Sequence, residues 1–158
     1  MGNGFRPNNT IIEFDGYRFD SGLERSVYCY LRLLFKKEDI SVHHSVVVKP
    51  PTNHFPERRW KCDFYIPKLN IYIEAKGIRH RTWKQQLEHL DRLNPLALDR
   101  LIVVSEVANE LVFRGNRSVT IGGLTNAIAA LNVQQISLNT IPLIEKGIPE
   151  TFRGVSIE

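Results

Sequence analysis

Apolar positions change period several times along this chain, and each change marks an element. From Ser21 onward Leu23, Val27, Tyr30, Leu31 and Leu34 recur at steps of three and four, which predicts a helix over residues 22–37 with one apolar face. Before it, residues 11–19 are interrupted by Asp15-Gly16, a pair suited to a tight turn, and so predict a small hairpin or an extended piece. Residues 42–48 are β-branched and apolar and predict a strand. It stops at Lys49-Pro50-Pro51, because proline has no N–H to give a ladder. The two prolines favour a stiff extended bridge, placed within residues 46–56. Residues 59–66 and 70–76 predict two short strands joined by a turn at 67–70, hence an antiparallel hairpin. Trp83, Leu87 and Leu90 predict a second helix, ended by Asn94-Pro95. The continuous apolar run 101–104 suits a strand buried on both faces, and residues 124–131, after Gly122-Gly123, predict a third helix.

The order helix, three strands, helix, strand, helix predicts an α/β protein with a mixed central β-sheet flanked by α-helices. At 158 residues the chain reads as one domain over 1–158. A chain of this size buries about 70% of its unfolded surface, enough to need no disulfide or structural metal. Residues 1–10, rich in Gly, Asn and Pro, predict a flexible lead-in, and residues 134–158 a weakly periodic tail with no assigned role. No apolar run approaches a membrane span and the N-terminus lacks the features of a signal peptide, so the expectation is a soluble, intracellular protein. The two cysteines, Cys29 and Cys62, have no CxxC spacing and are expected to be free, reduced and buried.

The net charge of +4 permits a polyanionic partner without demanding one. Its placement is more telling. In the strand over 70–76, alternation puts Tyr72, Glu74 and Lys76 on one face and Ile71, Ile73 and Ala75 on the other. Charges buried at the end of an apolar strand cost several kcal/mol unless paired. The hairpin brings Asp63 back toward Glu74, so two carboxylates and one ammonium share a pocket. Hard oxygen ligands so arranged suit Mg²⁺, with Lys76 placed to orient a water or offset charge at phosphorus. The same side chains also suit a structural ion pair at the sheet edge. Glu24 has two readings as well: Ser21-Gly22-Leu23-Glu24 is a capping box, and it is a third acid close to the same pattern.

Phe19-Asp20-Ser21-Gly22-Leu23-Glu24, Asn53-His54, Asp63-Phe64, Ile73-Glu74-Ala75-Lys76-Gly77 and Arg100 to Ser105 together resemble the PD-(D/E)XK nuclease superfamily. Within it they resemble the phage endonuclease I family of Holliday-junction-resolving enzymes, over about residues 19–114. One departure is Cys62, where the family motif has proline. The resemblance implies a restriction-endonuclease-like core and metal-dependent hydrolysis of DNA. It implies Asp63 and Glu74 as Mg²⁺ ligands, with Mn²⁺ able to substitute, and the Ala75 carbonyl as a further ligand. Lys76 would stand near the attacking water and Glu24 would assist a second metal about 4 Å away. It also implies a homodimer with exchanged elements, in which residues 46–56 carry the Glu24 helix to the partner's Asp63, Glu74 and Lys76.

Basic residues crowd this pattern. Arg79, His80, Arg81 and Lys84 follow the Glu74 strand, and Arg58, Arg59 and Lys61 precede Asp63, so both groups are candidates to bind DNA phosphates. His43 and His44 read as surface or packing residues, and the aromatics offer no stacking platform for single strands. The expected function is a Mg²⁺-dependent endodeoxyribonuclease acting on branched DNA, with no small-molecule cofactor and no membrane partner. A sequence-specific homing or restriction-type enzyme is the alternative within the superfamily, and a catalytically silent DNA-binding module the alternative of another class.

Overall fold

Asp15 and Gly16 both take positive φ, 52° and 83°, as the central pair of a two-residue hairpin must when its twist matches the flanking strands. In the computed structural model, which describes residues 11–77, 81–107, 112–113 and 116–133, this turn joins β1 (Ile12–Phe14) to β2 (Tyr17–Phe19). Helix α1 (Gly22–Leu34) follows, its start fixed by Ser21, whose Oγ accepts the Glu24 N–H at 3.1 Å. It ends three residues before the predicted limit. Phe35 turns extended (φ −133°) to bury its ring, and the Arg32 guanidinium donates to the Phe35 carbonyl at 3.0 Å.

The main sheet has the order β3-β4-β5-β6, from β3 (Ser41–Lys49), β4 (Arg58–Ile66), β5 (Ile71–Ala75) and β6 (Leu101–Val104). β3–β4 and β4–β5 are antiparallel and β5–β6 is parallel, so the sheet is mixed as predicted. The turn between β4 and β5 closes with Asn70 at φ 51°, and Arg100 clamps it by donating to the Leu69 and Asn70 carbonyls. Residues 46–49, the start of the stretch predicted as a bridge, are the paired end of β3; the connection itself spans 50–57.

α2 (Arg81–Leu93) precedes α3 (Pro95–Asp99). The predicted stop at Asn94-Pro95 is therefore a restart: Asn94 caps the new helix through Oδ1 to the Ala97 N–H, and Pro95 takes a first-turn position that needs no donor. After β6 come β7 (Val112–Phe113) and β8 (Asn116–Arg117), a two-residue pair absent from the sequence prediction. A last helix, α4, covers 124–133.

Helices cover both faces of the sheet. Val27, Tyr28 and Leu31 of α1 and Leu124 and Ile128 of α4 are buried with Phe64, Ile73, Ile102 and Val104. Leu87 and Leu90 of α2 and Ala97 and Leu98 of α3 pack with Val48, Trp60, Tyr72 and Leu101 on the other face. β6 is thereby covered on both sides, as its unbroken apolar run requires. Among the described residues no helix is long and apolar enough to cross a membrane. Cys62 is buried as expected, but Cys29 is exposed, because it falls on the outer side of α1 between the buried positions 27–28 and 31.

Candidate metal centre and its cleft

β4 and β5 pair from Ile66↔Ile71 to Phe64↔Ile73, and there the ladder stops. One step further Asp63 and Glu74 face each other, and their carboxylates replace the missing main-chain partners. The Asp63 N–H donates to Glu74 Oε2 at 3.1 Å, and the Ala75 N–H donates to Asp63 Oδ2 at 2.8 Å. Lys76, the next residue along the same strand face, brings its Nζ to 3.9 Å from Glu74 Oε1, while its N–H continues the parallel ladder to the Val104 carbonyl. Asp63, Glu74 and Lys76 are thus brought together as the sequence predicted.

Glu24 joins them from α1. The buried stripe of this helix runs 24, 27, 28, 31, so an acid occupies an apolar position and is itself only 4% exposed. The capping reading holds in modified form, since Glu24 Oε2 accepts the Asp20 N–H at 3.1 Å rather than that of the capping Ser21. Its other oxygen, Oε1, lies 2.7 Å from Nε2 of His43. The Glu24 charge reaches Asp63 within a single chain.

Among the described residues, the electrostatics are those of acids short of positive charge. Burial, then repulsion from Glu24, pushes Asp63 up to about 7, against the opposing pull of the Ala75 N–H, Lys76 and His43. Burial, then Asp63, pushes Glu74 up to about 8, with Lys76 opposing. Lys76 offsets too little of this to hold both acids ionised at neutral pH. Beside them the Cys62 thiol is raised by burial and by these two carboxylates; it donates to the Phe64 and Ile73 carbonyls and so is a packed, unreactive group.

Asp63, Glu74 and Lys76 line a cleft of about 1110 Å³ together with Asp20 and His43, whereas Glu24 is not on its lining and reaches it only through its bonds to the Asp20 N–H and the His43 ring. Arg58, Arg59 and Lys61 line it, as the basic cluster before Asp63 predicted. Arg58 is tied to α2 by donating to His89 Nε2 at 2.7 Å, and Arg59 pairs with Glu57 and donates to Ser45 Oγ at 3.0 Å. Arg79 and His80 lie outside the described residues, as do the side chains of Arg81 and Lys84. His89, which belongs to the basic run that follows Lys76 in the sequence, also lines the cleft; sequence reasoning did not place Arg18 there and missed the neighbouring Gln85 and Gln86. It also misread His43, which is neither simple surface nor simple packing but a partner of Glu24. Arg18 and His43 are far from Asp63 in sequence, and only the folded sheet reveals their place.

Among the described residues no three His, Cys, Asp or Glu side chains already close on one point at metal-ligand spacing. The donor set nevertheless fits a hard divalent cation: the buried Glu74 and half-buried Asp63 carboxylates, each pushed toward its protonated form by burial and by a neighbouring acid. Comparison with protein-family models, curated proteins and solved structures found no match to this chain.

Proposed function

We propose that this chain is a metal-dependent endodeoxyribonuclease with a restriction-endonuclease-like core, hydrolysing phosphodiester bonds and selective for branched duplexes such as Holliday junctions. One observation carries the reading: Asp63, Glu74 and Lys76 meet in a cleft that Arg18, Arg58, Arg59 and Lys61 also line. Acids without enough counter-charge repel a DNA phosphate, and basic walls attract it, so the combination makes sense when a cation completes the site.

In this reading Asp63 and Glu74 hold Mg²⁺, or Mn²⁺ in its place, with the Ala75 carbonyl and Glu24 as further oxygen donors. Such an ion supplies a lowered pKa for water and charge stabilisation at the phosphate. Lys76 orients the attacking water or offsets charge developing on the phosphoryl oxygens. Arg58, Arg59 and Lys61 position the backbone through its phosphates. Preference for branched DNA is supported by the motif series running from Ser21 to Ser105 rather than by any one contact.

A homodimer with exchanged elements belongs to the same reading. Residues 50–57, with Pro50-Pro51, are the hinge about which β1, β2, α1 and β3 would pass to a partner. Exchange keeps the contacts of one chain and makes them between two. Sedimentation then gives twice the 18.2 kDa chain mass, and a monomer at micromolar concentration removes the exchange.

The substrate is tested by offering a four-way junction, a linear duplex of the same sequences and a single strand, each with Mg²⁺ and with chelator. Preferential cutting of the junction near its branch supports the proposal. Equal cutting of the linear duplex at one sequence would replace branch selectivity by sequence selectivity.

A further inference from the structure

We propose that His43 is a positioning residue that holds the Glu24 carboxylate in place beside Asp63 for cation binding; this rests on the metal-centre reading above. A carboxylate oxygen can only accept, so at 2.7 Å His43 Nε2 carries the hydrogen and donates it to Glu24 Oε1. The other Glu24 oxygen is fixed by the Asp20 N–H at 3.1 Å, so the buried carboxylate is oriented from both ends.

His43 is placed for this by its own strand. The pairs Val42↔Phe64 and His44↔Cys62 keep one register on either side of it, so His43 stands across from Asp63. Its main chain departs from the strand there, with φ 53°, a region few residues with a Cβ occupy. The ring packs edge-on against Phe19, centroids 6.3 Å apart, and lines the same cleft as Asp63 and Glu74. One side chain from β3 thus bonds the acid of α1 from a position opposite the acid of β4. Groups that hydrogen-bond a metal's carboxylate ligand commonly matter to affinity by about ten- to a hundredfold.

Isothermal titration of the full chain with Mn²⁺, without DNA, tests this through two substitutions. His43→Gln places an amide N–H near the position of Nε2. His43→Asn suits the left-handed main chain better but stops short of Glu24. Positioning predicts that His43→Asn weakens Mn²⁺ binding by about ten- to a hundredfold while His43→Gln stays within about threefold. A purely conformational role predicts the reverse order. Glu24→Gln should weaken binding to a similar extent, and adding His43→Asn to it should cost nothing more, because His43 acts through that carboxylate. Unchanged binding in His43→Asn, or additive losses in the double variant, overturns the inference. If Glu74→Ala abolishes Mn²⁺ binding while His43→Asn does not affect it, only the role of His43 falls. If the unsubstituted chain binds no Mn²⁺, the metal-centre reading falls and takes this inference with it.

Discussion

Asp63 and Glu74 each stand where a main-chain partner should be: the Asp63 N–H donates to the Glu74 carboxylate, and the Asp63 carboxylate accepts the N–H of Ala75, the residue after Glu74. The β4–β5 ladder therefore ends in a pair of acids, Glu74 buried and Asp63 half-buried. Two consequences follow, one for stability and one for chemistry.

Both acids titrate higher in the folded chain than in the unfolded one, about 7 and about 8 against ordinary values near 4. Between those limits the native state binds more protons than the unfolded state, so metal-free stability falls as pH rises from about 4 toward 8. Glu74→Gln removes much of this slope. In chelator at pH 8 it should melt about 3 °C above the unsubstituted chain, on the order of 1 kcal/mol. Mg²⁺ should raise the melting temperature of the unsubstituted chain more at pH 8 than at pH 5.5, because its ligands must be ionised. Melting that is flat across this range, in chelator, contradicts the charge shortage described at the site.

Lys76 is expected to serve the chemistry more than the cation. Lys76→Met keeps the stem and removes the ammonium, so cutting of a junction should slow by about a hundredfold or more while the Mg²⁺-induced rise in melting temperature persists. Loss of that rise would make Lys76 chiefly a structural counter-charge to Glu74.

Arg59 lies on the cleft wall, held by Glu57 and Ser45. If it takes a phosphate, Arg59→Ala should weaken binding to every duplex tested and lower the slope of log K against log salt by about 1. Binding measured by fluorescence anisotropy at several salt concentrations decides this; an unchanged slope removes Arg59 from the DNA surface.

The two thiols should differ sharply. Cys29 is exposed on α1 and Cys62 is buried with its S–H donated to main-chain carbonyls. Ellman's reagent should therefore report one fast thiol in the native chain, lost in Cys29→Ser, and a second only on unfolding. Two fast thiols would contradict the packing around Cys62.

What local pattern could reveal, and what it could not, divides along a physical line. Asp15-Gly16, the 23–27–30–31–34 spacing and the unbroken run 101–104 each state their structure in a few neighbouring residues, and β1–β2, α1 and β6 follow from them. The pairing of Asp63 with Glu74 was also legible, because a short turn fixes the register of a hairpin. Local spacing showed Glu24 as a cap, the motif series showed it as a third acid, and its place on the buried stripe 24–27–28–31 was a further signal in the sequence. His43 gave no such signal. Its left-handed main chain and its bond to a residue nineteen positions earlier arise from the folded sheet. The restart at Asn94-Pro95 and the exposure of Cys29 were missed for a simpler reason. A proline after a cap can begin a helix as well as end one, and a small residue beside an apolar stripe can fall on either side of it.

The most direct test of the account is a cleavage assay on one four-way junction, comparing the unsubstituted chain and Glu74→Ala, each with Mg²⁺ and with chelator. The account predicts cutting only by the unsubstituted chain and only with Mg²⁺, and rates for Glu74→Ala at least about a hundredfold lower. Cutting that survives chelator, or that Glu74→Ala retains in full, would contradict a metal centre built on Asp63 and Glu74.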